Sequence, residues 1–235
     1  MKTVGIIGGI GSESTIEYYR LIISAYRQRK QNGDYPQIII NSINMTKMLA
    51  FIEAGQLSAV TSYLVDEVRK LAEAGVDFGL LASNTPHLVF DRIRELSPIP
   101  LISIVEATCQ EAKALGLSKV GLFGTRFTMQ SGFYQAVFAQ EDISVVVPAA
   151  GQQNYIHQKY MGELVNGIIL AETKSQLLEI VDVLKKEAGI QGLILGGTEL
   201  PLILKETDAS DIPFLDTTRI HVDRIVTELL SSATV

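Results

Sequence analysis

The sequence lacks several features that mark secreted and membrane-spanning proteins. It has one cysteine, Cys109, so no internal disulfide can form. Its apolar runs are far shorter than the about 18 residues that a transmembrane helix needs, and its first residues run directly into a strand pattern with no signal-peptide layout. We therefore expect a cytoplasmic protein without a membrane partner. For Cys109, which lies in a helical pattern, we expect a small buried apolar residue, with a reactive thiol as the less favoured alternative.

Runs of positive charge are also missing. The chain has 20 Lys and Arg against 26 Asp and Glu, which gives a formal net charge of -6, and its basic residues are scattered. Binding to nucleic acid requires a basic patch or stripe, so we expect no nucleic-acid partner. An anionic ligand would have to be captured locally and specifically.

Signatures of common cofactors are absent as well. The glycine-rich turn at residues 8–12 contains neither G-x-G-x-x-G nor G-x-x-x-x-G-K-[ST], so we expect no dinucleotide and no ATP. The three histidines, His87, His157 and His221, do not have the spacing of metal ligands, and we expect no metal. The turn still suits a small anion held by backbone N–H groups, although a tight turn that needs glycine for steric reasons alone is the alternative.

What the sequence does contain is a repeated order of helix, glycine and apolar strand. Gly75, Gly116 and Gly189 each follow a helical pattern and precede a strand pattern, as left-handed caps at helix ends do. Repetition of this order predicts parallel sheets. The predicted helices are 14–29, 57–74, 104–115, 175–188 and 218–230, and the predicted strands are 3–8, 38–43, 77–82, 119–123, 192–196 and 213–215.

Two segments repeat each other and indicate a duplicated α/β unit. Residues 77–85 and 191–199 are both apolar runs that end in small polar residues. Each begins roughly 70 to 75 residues after another apolar strand pattern that ends in glycine. We therefore predict that Ser83 matches Gly197 and that residues 8–12 match 124–128.

The predicted fold class is α/β, with two pseudo-symmetric doubly wound domains, parallel sheets and an active-site cleft between the domains. Pro98 and Pro100 mark the predicted crossover between the halves. The strand at 213–215 is the natural return to the first half. The predicted domains are therefore 1–97 with 212–235, and 98–211.

Polar residues at the ends of the predicted strands indicate a site for a small molecule with several hydrogen-bonding groups. Open α/β sheets bind ligands beyond the carboxyl ends of their strands. Taken singly, each loop has an alternative interpretation as a helix cap. The predicted ligand-binding residues are Gly9, Ile10, Gly11, Ser12, Asn84, Thr85, Thr198 and Glu199.

The order of motifs resembles the cofactor-independent aspartate/glutamate racemases of the Asp/Glu/hydantoin racemase superfamily over essentially the whole chain. The resemblance implies two similar α/β domains, commonly a homodimer, and a small amino acid or dicarboxylate held by the loops described above, with no cofactor. The motifs that carry it are residues 1–9, 13–16, 18–20, 83–87, 124–129, 196–200, 216–217 and 220–221.

The same resemblance implies catalysis by two cysteines, which this chain does not have at the matching positions. In the family one thiolate removes the α-proton and a second thiol protonates the opposite face. The catalytic positions are Ser83 and Gly197 here. A serine hydroxyl is far less acidic than a thiol and needs its own base, and glycine has no side chain. The two-thiol reaction is therefore not possible in this chain.

Three functions follow from this conflict. The first is an amino-acid racemase-type isomerase acting on aspartate, glutamate or a related small amino acid. The second is a non-catalytic binding protein for a small carboxylate or amino acid, and the third is a lyase or decarboxylase-like enzyme that uses Ser83. Further departures from the family pattern, at Gly11, Ser12, Asn44 and Ile52, favour natural divergence or an altered substrate.

Three more side chains have two interpretations each. For His87 we favour a histidine satisfied by backbone groups over one that lies near the ligand. Tyr160 and Glu163 are either a lid over the site or part of a solvated amphipathic turn, and we favour the turn.

Overall fold

Two four-stranded parallel sheets organise the chain in the computed structural model, which describes residues 2–208 and 211–231. The first sheet has the strand order 37–42, 3–8, 78–81, 101–102, and the second has the order 144–146, 119–124, 192–196, 214–216. Both sheets are flanked by helices, so the predicted α/β class with parallel sheets is confirmed. None of the helices in the described part is long and apolar enough to cross a membrane.

The first sheet contains counterparts of the predicted strands 3–8, 38–43 and 77–82, together with a strand at 101–102 that the sequence analysis did not predict. Its strands are β1 (Thr3–Gly8), β2 (Gln37–Ser42), β3 (Phe78–Leu81) and β4 (Leu101–Ile102). The helices are α1 (Ser12–Lys30), α2 (Met45–Glu53), α3 (Leu57–Glu73) and α4 (Phe90–Leu96), with a 3₁₀ turn at Thr85–Val89.

The second sheet repeats this arrangement. Its strands are β5 (Lys119–Gly124), β6 (Ser144–Val146), β7 (Gly192–Gly196) and β8 (Phe214–Asp216). The helices are α5 (Ile104–Ala114), α6 (Arg126–Gln130), α7 (Phe133–Ala139), α8 (Ala150–Gly162), α9 (Ala171–Ala188), α10 (Leu200–Ile203) and α11 (Thr217–Leu230), with 3₁₀ turns at Leu164–Asn166 and Glu206–Asp208.

The strand registers make the two sheets directly comparable. In the first, Ile7 of β1 pairs with Leu81 of β3. In the second, Phe123 of β5 pairs with Leu195 of β7. Ser83 lies two residues after Leu81 and Gly197 two residues after Leu195, so these residues occupy equivalent positions, as predicted.

The chain forms two units whose boundaries differ from the predicted ones. The first unit contains the described residues up to Ile104 and from His221 onward, and the second is Val105–Ile220. Residues 98–104 therefore belong to the first unit, where Leu101 of β4 pairs with Gly79 of β3.

The predicted strand at 213–215 does not return to the first sheet. Its counterpart β8 pairs with β7 in the second sheet, where Phe214 lies opposite Leu193. Its side chains suit that place because Phe214 is 4% exposed and belongs to the core of the second unit. The structure places this boundary at residue 221 instead of 212, so the described residues 212–220, which include β8, belong to the second unit.

Most of the helix after the last strand of each sheet belongs to the other unit. After β4 the chain enters the second unit at Val105, and after β8 it re-enters the first at His221. The apolar face of α11 completes the core around Val4 and Tyr18. The residues that α11 contributes to this core are Val222, Ile225, Val226 and Leu229. The two units thus exchange their closing helices.

Candidate functional site

The turn after β1 has a fixed shape that requires glycine. Gly9 has a φ of +78°, and a Cβ there would lie 2.5 Å from the carbonyl oxygen of Ile43. Its N–H donates to Thr15 Oγ1 at 2.8 Å, and that hydroxyl donates to the carbonyl of Gly11 at 3.1 Å. The N–H of Gly9 is therefore already used within the turn, in keeping with the steric interpretation of this glycine.

The other predicted residues of this turn differ in their accessibility. Ile10 is 6% exposed and belongs to the core, so its side chain contributes packing. Gly11 is the residue before α1, and a Cβ there would meet no atom within 4 Å. Ser12 is exposed at the first position of α1. The turn therefore presents Gly11 and Ser12 at its surface.

The loop after β3 lies against the first turn of α1. Ser14 Oγ donates to the carbonyl of Ala82 at 2.7 Å, one residue before the half-buried Ser83. Asn84 is 4% exposed, and Thr85 begins the 3₁₀ turn. Residues predicted from separate parts of the sequence are thus brought to the same edge of the first sheet.

His87 holds this loop in place through backbone groups. The N–H of Ile104 donates to Nε2 at 3.3 Å, and Nδ1 lies 3.0 Å from the carbonyl oxygen of Ser83. Burial lowers the pKa of His87 to about 3, so the ring is neutral at pH 7. Its one proton is then on Nδ1, which donates to Ser83. The favoured interpretation, a histidine satisfied by backbone, is confirmed.

A second neutral histidine is buried in the same unit. Nδ1 of His221 accepts from the hydroxyl of Tyr18 at 2.8 Å, and Nε2 donates to the carbonyl of Ile102 at 3.0 Å. Burial lowers the pKa of His221 to about 4. The two histidines therefore fix backbone groups at the end of β4, at Ile102, and two residues after it, at Ile104.

The loop after β7 is built around a buried glycine and a tyrosine from α8. A Cβ at Gly197 would lie 2.5 Å from Tyr160 Cε2 and 2.6 Å from the Tyr160 hydroxyl. That hydroxyl donates a hydrogen bond to the carboxylate of Glu199. Thr198 Oγ1 donates to the same carboxylate oxygen at 2.7 Å. The predicted residues Thr198 and Glu199 therefore form one hydrogen-bonded cluster with Tyr160.

The favoured interpretation of Tyr160 as part of a solvated turn was wrong. The side chain is 6% exposed and packs in the core of the second unit. Burial and the adjacent Glu199 raise the pKa of Tyr160 well above its ordinary value, so the phenol keeps its proton and donates. The four-residue spacing of Ile156, Tyr160 and Leu164 is the sequence signal that predicts a buried helical face here.

Glu163 has local partners. Its carboxylate forms an ion pair with Lys159 and accepts from Thr173 Oγ1 at 2.5 Å. These contacts tie the end of α8 to the beginning of α9, which is a structural role.

The last two candidates for chemistry are the single cysteine and a metal site. Cys109 is 1% exposed on α5, as predicted, and burial raises the pKa of its thiol to about 11. Within residues 2–208 and 211–231, no group of three or more His, Cys, Asp or Glu side chains is arranged to hold a metal ion.

Comparison with known proteins agrees with this arrangement. The sequence model described as Asp/Glu/Hydantoin racemase matches residues 7–225. The broad specificity amino-acid racemase RacX of Bacillus subtilis (strain 168) is 27% identical over 227 residues, which cover 91% of this chain and 92% of that protein.

Solved structures share the fold over nearly the whole chain. An aspartate racemase homologue from Pyrococcus horikoshii OT3 superposes with a TM-score of 0.87 at 32% identity and covers 98% of this chain and 100% of its own. The aspartate racemase of Picrophilus torridus has a TM-score of 0.79 at 21% identity, covers 97% of this chain and 94% of its own, and shows likeness of fold alone. With a family match over residues 7–225, this chain belongs to the Asp/Glu/hydantoin racemase family.

Proposed function

We propose that this chain is an amino-acid racemase-type isomerase that needs no cofactor and acts at the α-carbon of aspartate, glutamate or a related small amino acid. The observation that carries this proposal is the equivalence of Ser83 and Gly197, each at the carboxyl end of its strand and each followed by polar residues. The names of its relatives support it, since one is a broad specificity amino-acid racemase and another an aspartate racemase homologue.

The polar residues of the loops match the charges of such a ligand. Asn84 and Thr85 supply hydrogen-bond donors for a carboxylate, as does the exposed Ser12. The carboxylate of Glu199 complements an ammonium group. Hydrogen bonds to charged groups contribute roughly 1.5 to 3 kcal/mol each, so a few of them suffice for millimolar or tighter binding.

Proton transfer in this chain does not use a pair of thiols. Ser83 and Gly197 have none, and the thiol of Cys109 is buried with a pKa of about 11. His87 does not activate the Ser83 hydroxyl, because it bonds the backbone carbonyl of that residue. We therefore propose turnover slower than that of a two-thiol racemase, by at least the roughly 10²- to 10⁴-fold that one positioned acid–base group contributes, because both thiols are missing.

Exchange of the α-proton tests the proposal. The protein is incubated with L- and D-aspartate and with L- and D-glutamate in deuterated water, and α-deuteration and inversion are followed by NMR and chiral chromatography. Deuteration with inversion supports the racemase. The variant Cys109→Ser should behave like the parent, which shows that no thiol is involved.

Calorimetry, together with assays for released carbon dioxide and ammonia, separates the isomerase from the binding protein and the lyase. Binding without deuteration would replace the isomerase with the non-catalytic binding protein, and release of carbon dioxide or ammonia would indicate the lyase. No binding at millimolar concentration would refute both the isomerase and the binding protein.

A homodimer and a cytoplasmic location stay predictions, and light scattering on the purified protein checks the first.

A further inference from the structure

The missing side chain at Gly197 has a structural cause that the loop sequence does not reveal. Gly197 does not have a left-handed φ, so its backbone conformation does not call for glycine. The space that a side chain would take is instead filled by the ring of Tyr160, since a Cβ would lie 2.5 Å from Cε2 and 2.8 Å from Cζ. Real Cβ atoms do not approach other atoms this closely.

The ring has little freedom to move aside. Tyr160 is 6% exposed and packs in a core that includes Ile156 and Leu164. Its hydroxyl is held by the Glu199 carboxylate. A residue larger than glycine at 197 therefore has to displace a buried, hydrogen-bonded side chain.

Tyr160 also orients the Glu199 carboxylate. Tyr160 and Thr198 both donate to Oε2 of Glu199, which orients the second oxygen, Oε1. A carboxylate with one oxygen held by the protein is ordered before it meets a cation and so loses less freedom on binding.

We propose that Tyr160 has two functions in this loop. Its ring fills the space that a side chain at Gly197 would occupy, and its hydroxyl orients the Glu199 carboxylate for the ammonium group of the ligand. Tyr160 is thus a positioning residue that determines specificity for ligands with a primary ammonium group. This second part rests on the proposed function, whereas the packing of Tyr160 against Gly197 does not.

Thermal unfolding tests the packing. Gly197→Ala should lower the unfolding midpoint on the order of 5 °C in the parent and much less in a Tyr160→Leu background, where the space is open. The control is Gly151→Ala on the same helix as Tyr160, where a Cβ would meet no atom within 4 Å and no loss is expected. Equal losses in both backgrounds would overturn the packing part.

Paired ligands test the specificity. We compare L-aspartate with succinate and L-glutamate with glutarate by calorimetry, because each pair differs in the ammonium group. The parent should prefer the amino acid. Tyr160→Phe keeps the ring but removes one of the two hydrogen bonds that hold the carboxylate. It should reduce that preference by up to the roughly three- to tenfold that ordering one side chain costs. Glu199→Gln should remove the preference.

The matched control and the outcomes separate this inference from the proposed function. Tyr155→Phe removes the hydroxyl of a half-buried tyrosine on the same helix and should leave the preference unchanged. If Tyr160→Phe weakens both members of a pair equally, Tyr160 has a structural role only and the specificity part fails while the proposed function stands. If the parent binds none of the four ligands, the proposed function and the specificity part fall together, and the packing part is still decided by thermal unfolding.

Discussion

Two buried histidines predict that the protein loses stability in mild acid. His87 and His221 are neutral in the folded state, and burial lowers their pKa values to about 3 and about 4 from the ordinary 6.5. The unfolded chain therefore binds more protons than the folded chain below pH 6.5. Stability is full above that pH and falls as the pH decreases toward the folded pKa values.

The size of the loss in stability follows from how far the pH lies below 6.5, the ordinary pKa of histidine. One pKa unit corresponds to about 1.36 kcal/mol, so at pH 5 each histidine should cost about 2 kcal/mol relative to pH 7. Together they should cost about 4 kcal/mol, a large share of the roughly 5 to 15 kcal/mol that stabilises a typical protein. Protonation would also turn the acceptor nitrogen of each ring into a donor facing the N–H of Ile104 or the hydroxyl of Tyr18.

Denaturant titrations at pH 7, 6 and 5, followed by circular dichroism, measure this dependence. His87→Gln and His221→Gln destabilise the protein at every pH, so the slope against pH is the quantity to compare. Each variant should lose about half of the parent's slope between pH 7 and 5. His157→Gln is the control: its pKa is lowered in the same direction by burial and Arg126, but it is only half-buried, so it should change the slope less. An unchanged slope in the double variant would refute the assignment.

Three further predictions follow from other parts of the chain. Gly9→Ala should destabilise the protein by about 2 kcal/mol or more in denaturant titrations, because its left-handed φ and a nearby backbone oxygen both oppose a side chain; a variant as stable as the parent would contradict the turn geometry. Cys109 should react with a thiol reagent only after unfolding, because it is buried with a raised pKa; rapid labelling of the native protein would contradict this. The double variant Ser83→Cys/Gly197→Cys should gain little racemisation until Tyr160→Leu opens the space for the second thiol; equal activity with and without that third change, measured by chiral chromatography, would show that the tyrosine does not obstruct it.

Much of the fold was predictable because the signals are local. Gly75, Gly116 and Gly189 have φ values of +83°, +70° and +66°, as expected for glycines that end helices before strands. The apolar runs of β3 and β7 and the polar residues after them were also found from the sequence. Periodicity and glycine position report on backbone conformation within a few residues, and these features depend on nothing more distant.

The parts that were missed depend on distant contacts. The three-residue strand β8 carries no signal for its sheet, and its pairing with β7 is visible only in the structure. The role of Tyr160 depends on a glycine 37 positions away along the chain, the difference between 197 and 160. From the sequence, Gly197 is simply a missing side chain, whereas in three dimensions its space is occupied.

The exchange of closing helices has a consequence for how this protein forms during synthesis. The core around Val4 needs Ile225 and Leu229 of α11, so the first unit to be translated cannot complete its packing until nearly the whole chain has left the ribosome. The second unit has a shorter delay, because its closing helix α5 precedes its sheet and its last core residue, Phe214, is synthesised before the core residues of α11. Contacts of such long sequence separation slow folding. The order of folding should therefore oppose the order of synthesis, with the later unit reaching its native core first.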